Sequence, residues 1–253
     1  MSYCFVIPNY NHIVGFAQLL EQLGAYHLPI IIVDDGSQDE IASQLQTLAN
    51  NQTALTLLVH PENQGKGAAM QTGFDYALEQ GYQYAIQIDA DGQHDVSDVA
   101  TMLALSKQQP EAFISGAPVY DQSVPKHRFY ARYITHFWVC VETLSLQLTD
   151  SMCGFRIYPL TAYQELMTKS KLGKRMDFDT EIMVRLYWQG VSFIFVPTKV
   201  KYPEDGVSHF RPFNDNVLIS WLHTRLFFGM CIRLPQLLSR NIRRWFTATK
   251  ATS

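Results

Sequence analysis

With 253 residues, 47% hydrophobic and 17% charged, the chain is long enough for one well-buried α/β domain and lacks a disordered or fibrous composition. Its net charge of −3 is unevenly split: 14 basic against 22 acidic residues precede Asn214, and six basic against one acidic residue follow from there. Such a tail suits an anionic lipid surface rather than nucleic acid.

Short apolar runs alternate with longer helical patterns, without an internal repeat. Strands are predicted over 4–7, 30–33, 55–59, 84–88, 112–115 and 193–196, and helices near 13–26, 38–50, 66–80, 96–108, 127–147, 160–169, 179–189 and 215–234. That alternation predicts an α/β fold, a mostly parallel sheet with helices on both faces. The first strand starts almost at once and lacks the charged-then-apolar layout of a signal peptide. The four cysteines (Cys4, Cys140, Cys153, Cys231) are scattered and suggest neither a zinc site nor a disulfide framework. A cytoplasmic location is expected, peripheral on the cytoplasmic face of a membrane.

In open sheets of this kind ligands gather beyond the carboxyl ends of the strands, and the chemistry-bearing residues sit there. The first strand ends in Ile7-Pro8-Asn9-Tyr10-Asn11-His12, and the second in Val33-Asp34-Asp35-Gly36-Ser37. Asp34 or Asp35 can accept hydrogen bonds from a base or ribose, although Asp-Gly-Ser is also an ordinary turn. After the third strand, Asn63-Gln64-Gly65-Lys66-Gly67-Ala68-Ala69 opens a helix whose N-terminus favours anions. It matches neither a P-loop nor a dinucleotide fingerprint. After the fourth strand, Asp89-Ala90-Asp91-Gly92-Gln93-His94 places two carboxylates on one side of extended backbone. Such a pair, completed by phosphate oxygens, suits Mg²⁺ or Mn²⁺.

In this order and spacing, these segments, with Gly154-Phe155-Arg156 and Gly206-Val207-Ser208-His209-Phe210, resemble the family 2 glycosyltransferases. The subgroup is that of dolichyl-phosphate mannose synthases and bacterial polyprenyl-phosphate sugar synthases. The resemblance covers about the first 210 residues and implies a GT-A fold, a UDP- or GDP-linked sugar donor, a divalent metal and inversion at the anomeric carbon. Carried over by position, Pro8, Tyr10, Asn11, Asp34, Asp35, Lys66, Asp89 and Ala90 would bind the nucleotide sugar. Asp89, Asp91 and Gln93 would hold the metal, with Asp91 at the catalytic centre. Ser208, His209 and Arg211 would close on the diphosphate. Two departures stand out: His12 replaces the acidic residue that many relatives carry, and Ser115-Gly116-Ala117 lacks the arginine common after the fifth strand. Arg128 and Arg132, four apart on the next helix, could grip an acceptor phosphate instead or merely solvate that face.

The expected acceptor is a membrane lipid, with polyprenyl phosphate favoured. A hydroxyl acceptor needs a general base, for which Asp179 and Glu181 are the candidates, though acids there also suit a helix N-terminus. A non-catalytic nucleotide-binding relative is the remaining alternative. Domain boundaries are expected at 1–213 for the transferase and 214–253 for a basic, amphipathic tail. That tail is nearly long enough to span a bilayer, but His223, Thr224 and Arg225 fall near its middle, which favours an interfacial helix. Beyond Pro235, Arg240, Arg243 and Arg244 with Trp245 and Phe246 form a cluster suited to headgroups.

Overall fold

The structure, a computed structural model, describes residues 1–119, 126–200 and 212–251, and their side chains except at 126–131, 212 and 243–251. Its elements run β1 (Tyr3–Asn9), α1 (Phe16–Gly24), β2 (Ile30–Asp34), α2 (Asp39–Asn50), β3 (Leu55–Val59), α3 (Lys66–Glu79), β4 (Tyr84–Gln87), α4 (Asp98–Gln108) and β5 (Ala112–Val119). The chain continues through α5 (Lys126–Thr143), β6 (Arg156–Pro159), α6 (Leu160–Lys169), α7 (Phe178–Gln189), β7 (Ser192–Lys199) and α8 (Pro212–Ala251). Seven strands form one sheet in the order β3-β2-β1-β4-β6-β5-β7. All neighbours are parallel except β6, which runs antiparallel to both β4 and β5.

The central strands are apolar on both faces because helices cover both. Val6, Val33 and Ala85 meet α3, α6 and α7 on one side, in a core that includes Phe74, Tyr158 and Phe178. Phe5, Ile7, Ile32 and Ile86 pack on the other side with Leu20, Leu23 and Met102 of α1 and α4. The expected fold is therefore present, with one strand more than the sequence suggests. Arg156-Ile-Tyr-Pro is only four residues long and begins on an arginine.

The last helix also differs. A helix ending near residue 234 is expected, yet α8 continues through Pro235 to Ala251. Proline removes one backbone donor and crowds the preceding turn, but contacts beyond it compensate. Leu237 is fully buried, Asn241 Nδ2 donates to the Leu144 carbonyl at 2.6 Å, and Tyr187 donates to Asn241 Oδ1 at 3.1 Å. Leu222, Leu226, Met230 and Leu237 join the core on the α7 side of the sheet.

His223 and three arginines of α8 turn toward the protein. His223 Nδ1 lies 2.7 Å from Glu142 of α5, and Arg225 reaches Glu181 of α7 at 3.7 Å. Arg233 stacks on Trp188, and Arg240 stacks on Tyr187 while donating to the Trp188 carbonyl. The charges near the middle of the apolar run thus point inward, and Arg240 docks the helix rather than facing outward. Phe213, Val217, Trp221, Phe228, Ile232 and Ile242 are left exposed, Ile232 at 80%. On α5, Tyr133, Ile134 and Phe137 are exposed as well, so core packing does not account for these three residues.

Candidate active site

Because β2, β1 and β4 are parallel neighbours, the segments that leave their carboxyl ends share one rim. Asn11, at a φ of 51°, ties the first to the second: its N–H donates to Ser37 Oγ and its Oδ1 accepts the Gln38 N–H, both at 2.8 Å. Pro8 and Tyr10 flank Asn9 on this rim and are half-buried.

Asp34 and Asp35 divide the work between them. Asp35 pairs with His60 at 2.7 Å and accepts from Asn63 Nδ2 and the Gln64 and Gly65 N–H groups at 2.7–3.0 Å. All of its acceptor capacity goes to fastening the segment before α3. Asp34 Oδ1 accepts the Ser37 N–H at 3.2 Å, whereas its Oδ2 is buried and has no partner among the described residues. The same holds for both amide atoms of Asn9, whose Cα pairs with that of Asp34 across the sheet, and for His12 Nε2. Buried polar atoms without partners are uncommon, and together these offer hydrogen bonds to a polar ligand. Asn9 is not singled out by the sequence; its one signal is a polar residue closing a buried strand.

Lys66 is the first residue of α3. The turn before it needs Gly65, at a φ of 107°, and a Cβ there would meet the Lys174 carbonyl at 2.5 Å. Lys66 Nζ lies 2.8 Å from Asp89 Oδ1 and 2.8 Å from Asp179 Oδ2. The other oxygen of Asp179 accepts from Gln87 Nε2 at 3.2 Å and sits 3.3 Å from Arg156 Nη1. Arg156 is wholly buried and also donates to the Asp179 and Ser151 carbonyls at 2.8 and 2.7 Å. Burial pushes the Asp179 carboxyl up, but the Lys66 ammonium and the Arg156 guanidinium outweigh it and hold the group below its ordinary value. Glu181 accepts the Gly173 N–H at 2.7 Å and Arg185 Nε at 2.9 Å. Both candidate bases are therefore bound into the fold by cations.

Asp89, Asp91, Gln93, His94, Arg132 and Gly154 line one open cleft. A Cβ on Gly154 would overlap the Asp89 carboxylate, which is why that position takes no side chain. Burial, and then the charge of Asp89, push the Asp91 carboxyl up, and the Gln93 N–H on its Oδ1 partly offsets this. Two carboxylates in one cleft repel unless a cation lies between them. Among the described residues no group of three or more His, Cys, Asp or Glu forms a complete metal cage. Two carboxylates and the Gln93 amide instead fit a hard divalent cation that takes further oxygens from its ligand. Burial lowers the His94 imidazole below its ordinary value against the pull of Asp89 and Asp91, and the ring lies tilted against Phe155 with centroids 5.5 Å apart. Arg132 Nε contacts Asp150 at 2.6 Å. Arg128 lies one turn earlier on α5, with its side chain outside the described set, and Ser208, His209 and Arg211 lie outside the described residues altogether.

Residues 4–168 match the model of glycosyl transferase family 2. The chain is 28% identical over 200 residues to a dolichyl-phosphate beta-glucosyltransferase of Trichomonas vaginalis, covering 71% of this chain but only 60% of that protein. It is 26% identical over 232 residues to a UDP-N-acetylglucosamine–dolichyl-phosphate N-acetylglucosaminyltransferase of Methanococcus voltae, covering 85% and 90% of the two. Among solved structures, glucosyl-3-phosphoglycerate synthase of Mycobacterium tuberculosis with Mn²⁺ and UDP-glucose superposes with a TM-score of 0.63. That match covers 91% of this chain and 79% of the other at 13% identity, a likeness of fold.

Gly154→Ala should displace the Asp89 carboxylate and weaken Mn²⁺ binding by about tenfold or more. Calorimetric titration of the folded variant checks this, and an unchanged affinity contradicts the placement.

Proposed function

The chain belongs to glycosyl transferase family 2, and on that footing we propose an inverting, metal-dependent hexosyltransferase that carries sugar from a UDP- or GDP-linked donor to a polyprenyl phosphate. One observation carries the choice of acceptor. Transfer to a hydroxyl needs a base to take its proton. Asp179 is held between Lys66 and Arg156, and Glu181 between Arg185 and a backbone N–H, so neither is arranged to do so. A phosphate acceptor arrives already anionic and makes no such demand. The two relatives, named as dolichyl-phosphate glycosyltransferases, support the same choice.

On this reading the unpaired atoms of Asn9 and Asp34, with Pro8 and Tyr10 beside them, receive the nucleoside end of the donor. Asp35 and Asn11 act one step removed, by fixing the segments that shape that end. Mg²⁺ or Mn²⁺ held by Asp89, Asp91 and Gln93 would offset the charge of the diphosphate leaving group. Lys66, at the first turn of α3, adds a fixed positive charge beside it, and the backbone at Ala90 lets the sugar approach. Arg132, with Arg128 one turn away, faces the acceptor phosphate across the cleft. An oxygen of that phosphate attacks the anomeric carbon from the side opposite the diphosphate, and the carbon–oxygen bond to the diphosphate breaks with its electron pair.

The outer face of α8 supports a membrane partner. An exposed apolar face of this size is rare on a protein surrounded by water. Phe213–Ile242 is long and apolar enough to cross a bilayer, and it is the one such helix among the described residues. Yet its inner side is fastened to α5 and α7 at His223, Arg225, Arg233 and Asn241. Crossing would carry those ion pairs into hydrocarbon, so lying along the surface fits better.

Detergent-solubilised protein with Mn²⁺, polyprenyl phosphate and labelled UDP- or GDP-hexoses should yield a lipid-linked sugar phosphate, and Asp89→Ala should cut that rate by about 10²-fold or more. No product with any donor would contradict the assignment. Trp221→Glu with Ile232→Glu should release the protein from anionic vesicles in a flotation assay; unchanged flotation would contradict the surface role of α8.

A further inference from the structure

Among the described residues that line the cleft Arg132 is the one arginine, and a carboxylate from a different segment holds its Nε. We propose that Asp150 is a positioning residue that aims the Arg132 guanidinium at the acceptor while registering it against Asp89 on the donor side. The inference rests on the reading of Arg132 as the acceptor-phosphate contact.

Asp150 lies between α5 and β6, and its carboxylate is buried. Its two oxygens have separate duties. Oδ2 accepts from Arg132 Nε at 2.6 Å. Oδ1 accepts the backbone N–H groups of Met152 and Cys153 at 2.9 and 2.7 Å. A guanidinium held through Nε cannot turn about its last side-chain bond without losing that contact. The plane of the fork is thereby set, and a phosphate needs such a planar, directed pair of donors. The turn closed by Oδ1 leads directly into Gly154, whose Cα is pressed against the Asp89 carboxylate. One carboxylate thus sets the separation between the acceptor arginine and the donor-side acid, two groups on different elements that must act on one reacting carbon. A displacement of about 1 Å between such groups costs a large part of the rate.

The division of duties makes the role separable from folding. In Asp150→Asn the amide oxygen can keep both turn hydrogen bonds, while the amide nitrogen, itself a donor, faces Arg132 Nε–H and rejects it. Arg132→Lys keeps the positive charge but has no Nε. Steady-state kinetics on the full chain with Asp150→Asn, Arg132→Lys, Arg132→Gln and the Asp150→Asn/Arg132→Gln double variant tests the inference. Each single variant should raise KM for polyprenyl phosphate about tenfold, with the donor KM within about twofold of wild type. Asp150→Asn should add nothing further in the Arg132→Gln background, because both act through one contact. Additive effects, an equal rise in donor KM, or a wild-type acceptor KM in Arg132→Lys would overturn the proposal. A wild-type enzyme that turns over no polyprenyl phosphate would overturn the acceptor reading and this inference with it. Turnover with an unaltered acceptor KM in folded Asp150→Asn would overturn this inference alone.

Discussion

Lys66 lies between two carboxylates, 2.8 Å from each, and the site is organised around that contact. Asp89 belongs to the rim after β4 and Asp179 to the first turn of α7, so the ammonium joins elements far apart in the chain. Arg156 supplies the second cation from beneath, wholly buried, and the four groups balance in charge. Asp179 at such depth would otherwise be costly, and removing one partner from a buried pair such as Asp179 and Arg156 typically costs about 3–5 kcal/mol. The arrangement leaves Asp89 at the edge of the cleft and draws Asp179 inward. On the proposed reading, the acid beside the donor stays available and the candidate base for a hydroxyl acceptor is withdrawn.

The glycines and small residues of the neighbouring segments follow from the same geometry. Asn63 to Gly67 has the look of an anion loop, yet much of its composition answers to packing. A Cβ on Gly67 would meet the Gly173 carbonyl at 2.6 Å, and the Ala68 N–H donates to the Lys174 carbonyl at 2.8 Å. The segment before α7 is laid against the start of α3, and this brings Asp179 to Lys66. Asp35 holds the other side of that segment with four hydrogen bonds. Asp35, expected as a ligand contact, is thus also part of the frame that places Lys66.

Much of this was legible in the sequence because it depends on local pattern. Six of the seven strands announce themselves as apolar runs, and the rim residues follow the carboxyl ends of three of them, β1, β2 and β4. What was not legible depends on pairing across the fold. β6 is too short to carry a periodic signal and is set by antiparallel pairing on both sides. The roles of Asp34 and Asp35 are indistinguishable by type and separate only when His60 and Asn63 are seen to claim one of them. In α8, His223 and Arg225 weaken the apolar pattern until Glu142 and Glu181 are placed opposite them. The arginine in Gly154-Phe155-Arg156 is a buried counterion, which no spacing rule indicates.

The central claim is that the fold withholds a general base and therefore demands an acceptor that is already ionised. The most direct test presents the same enzyme, donor and metal with polyprenyl phosphate and with the corresponding polyprenol at equal concentration in one detergent. The account predicts transfer to the phosphate faster by about 10²-fold or more, the usual contribution of a positioned base. Comparable rates on the alcohol would contradict it, since they would require a base that takes the hydroxyl proton.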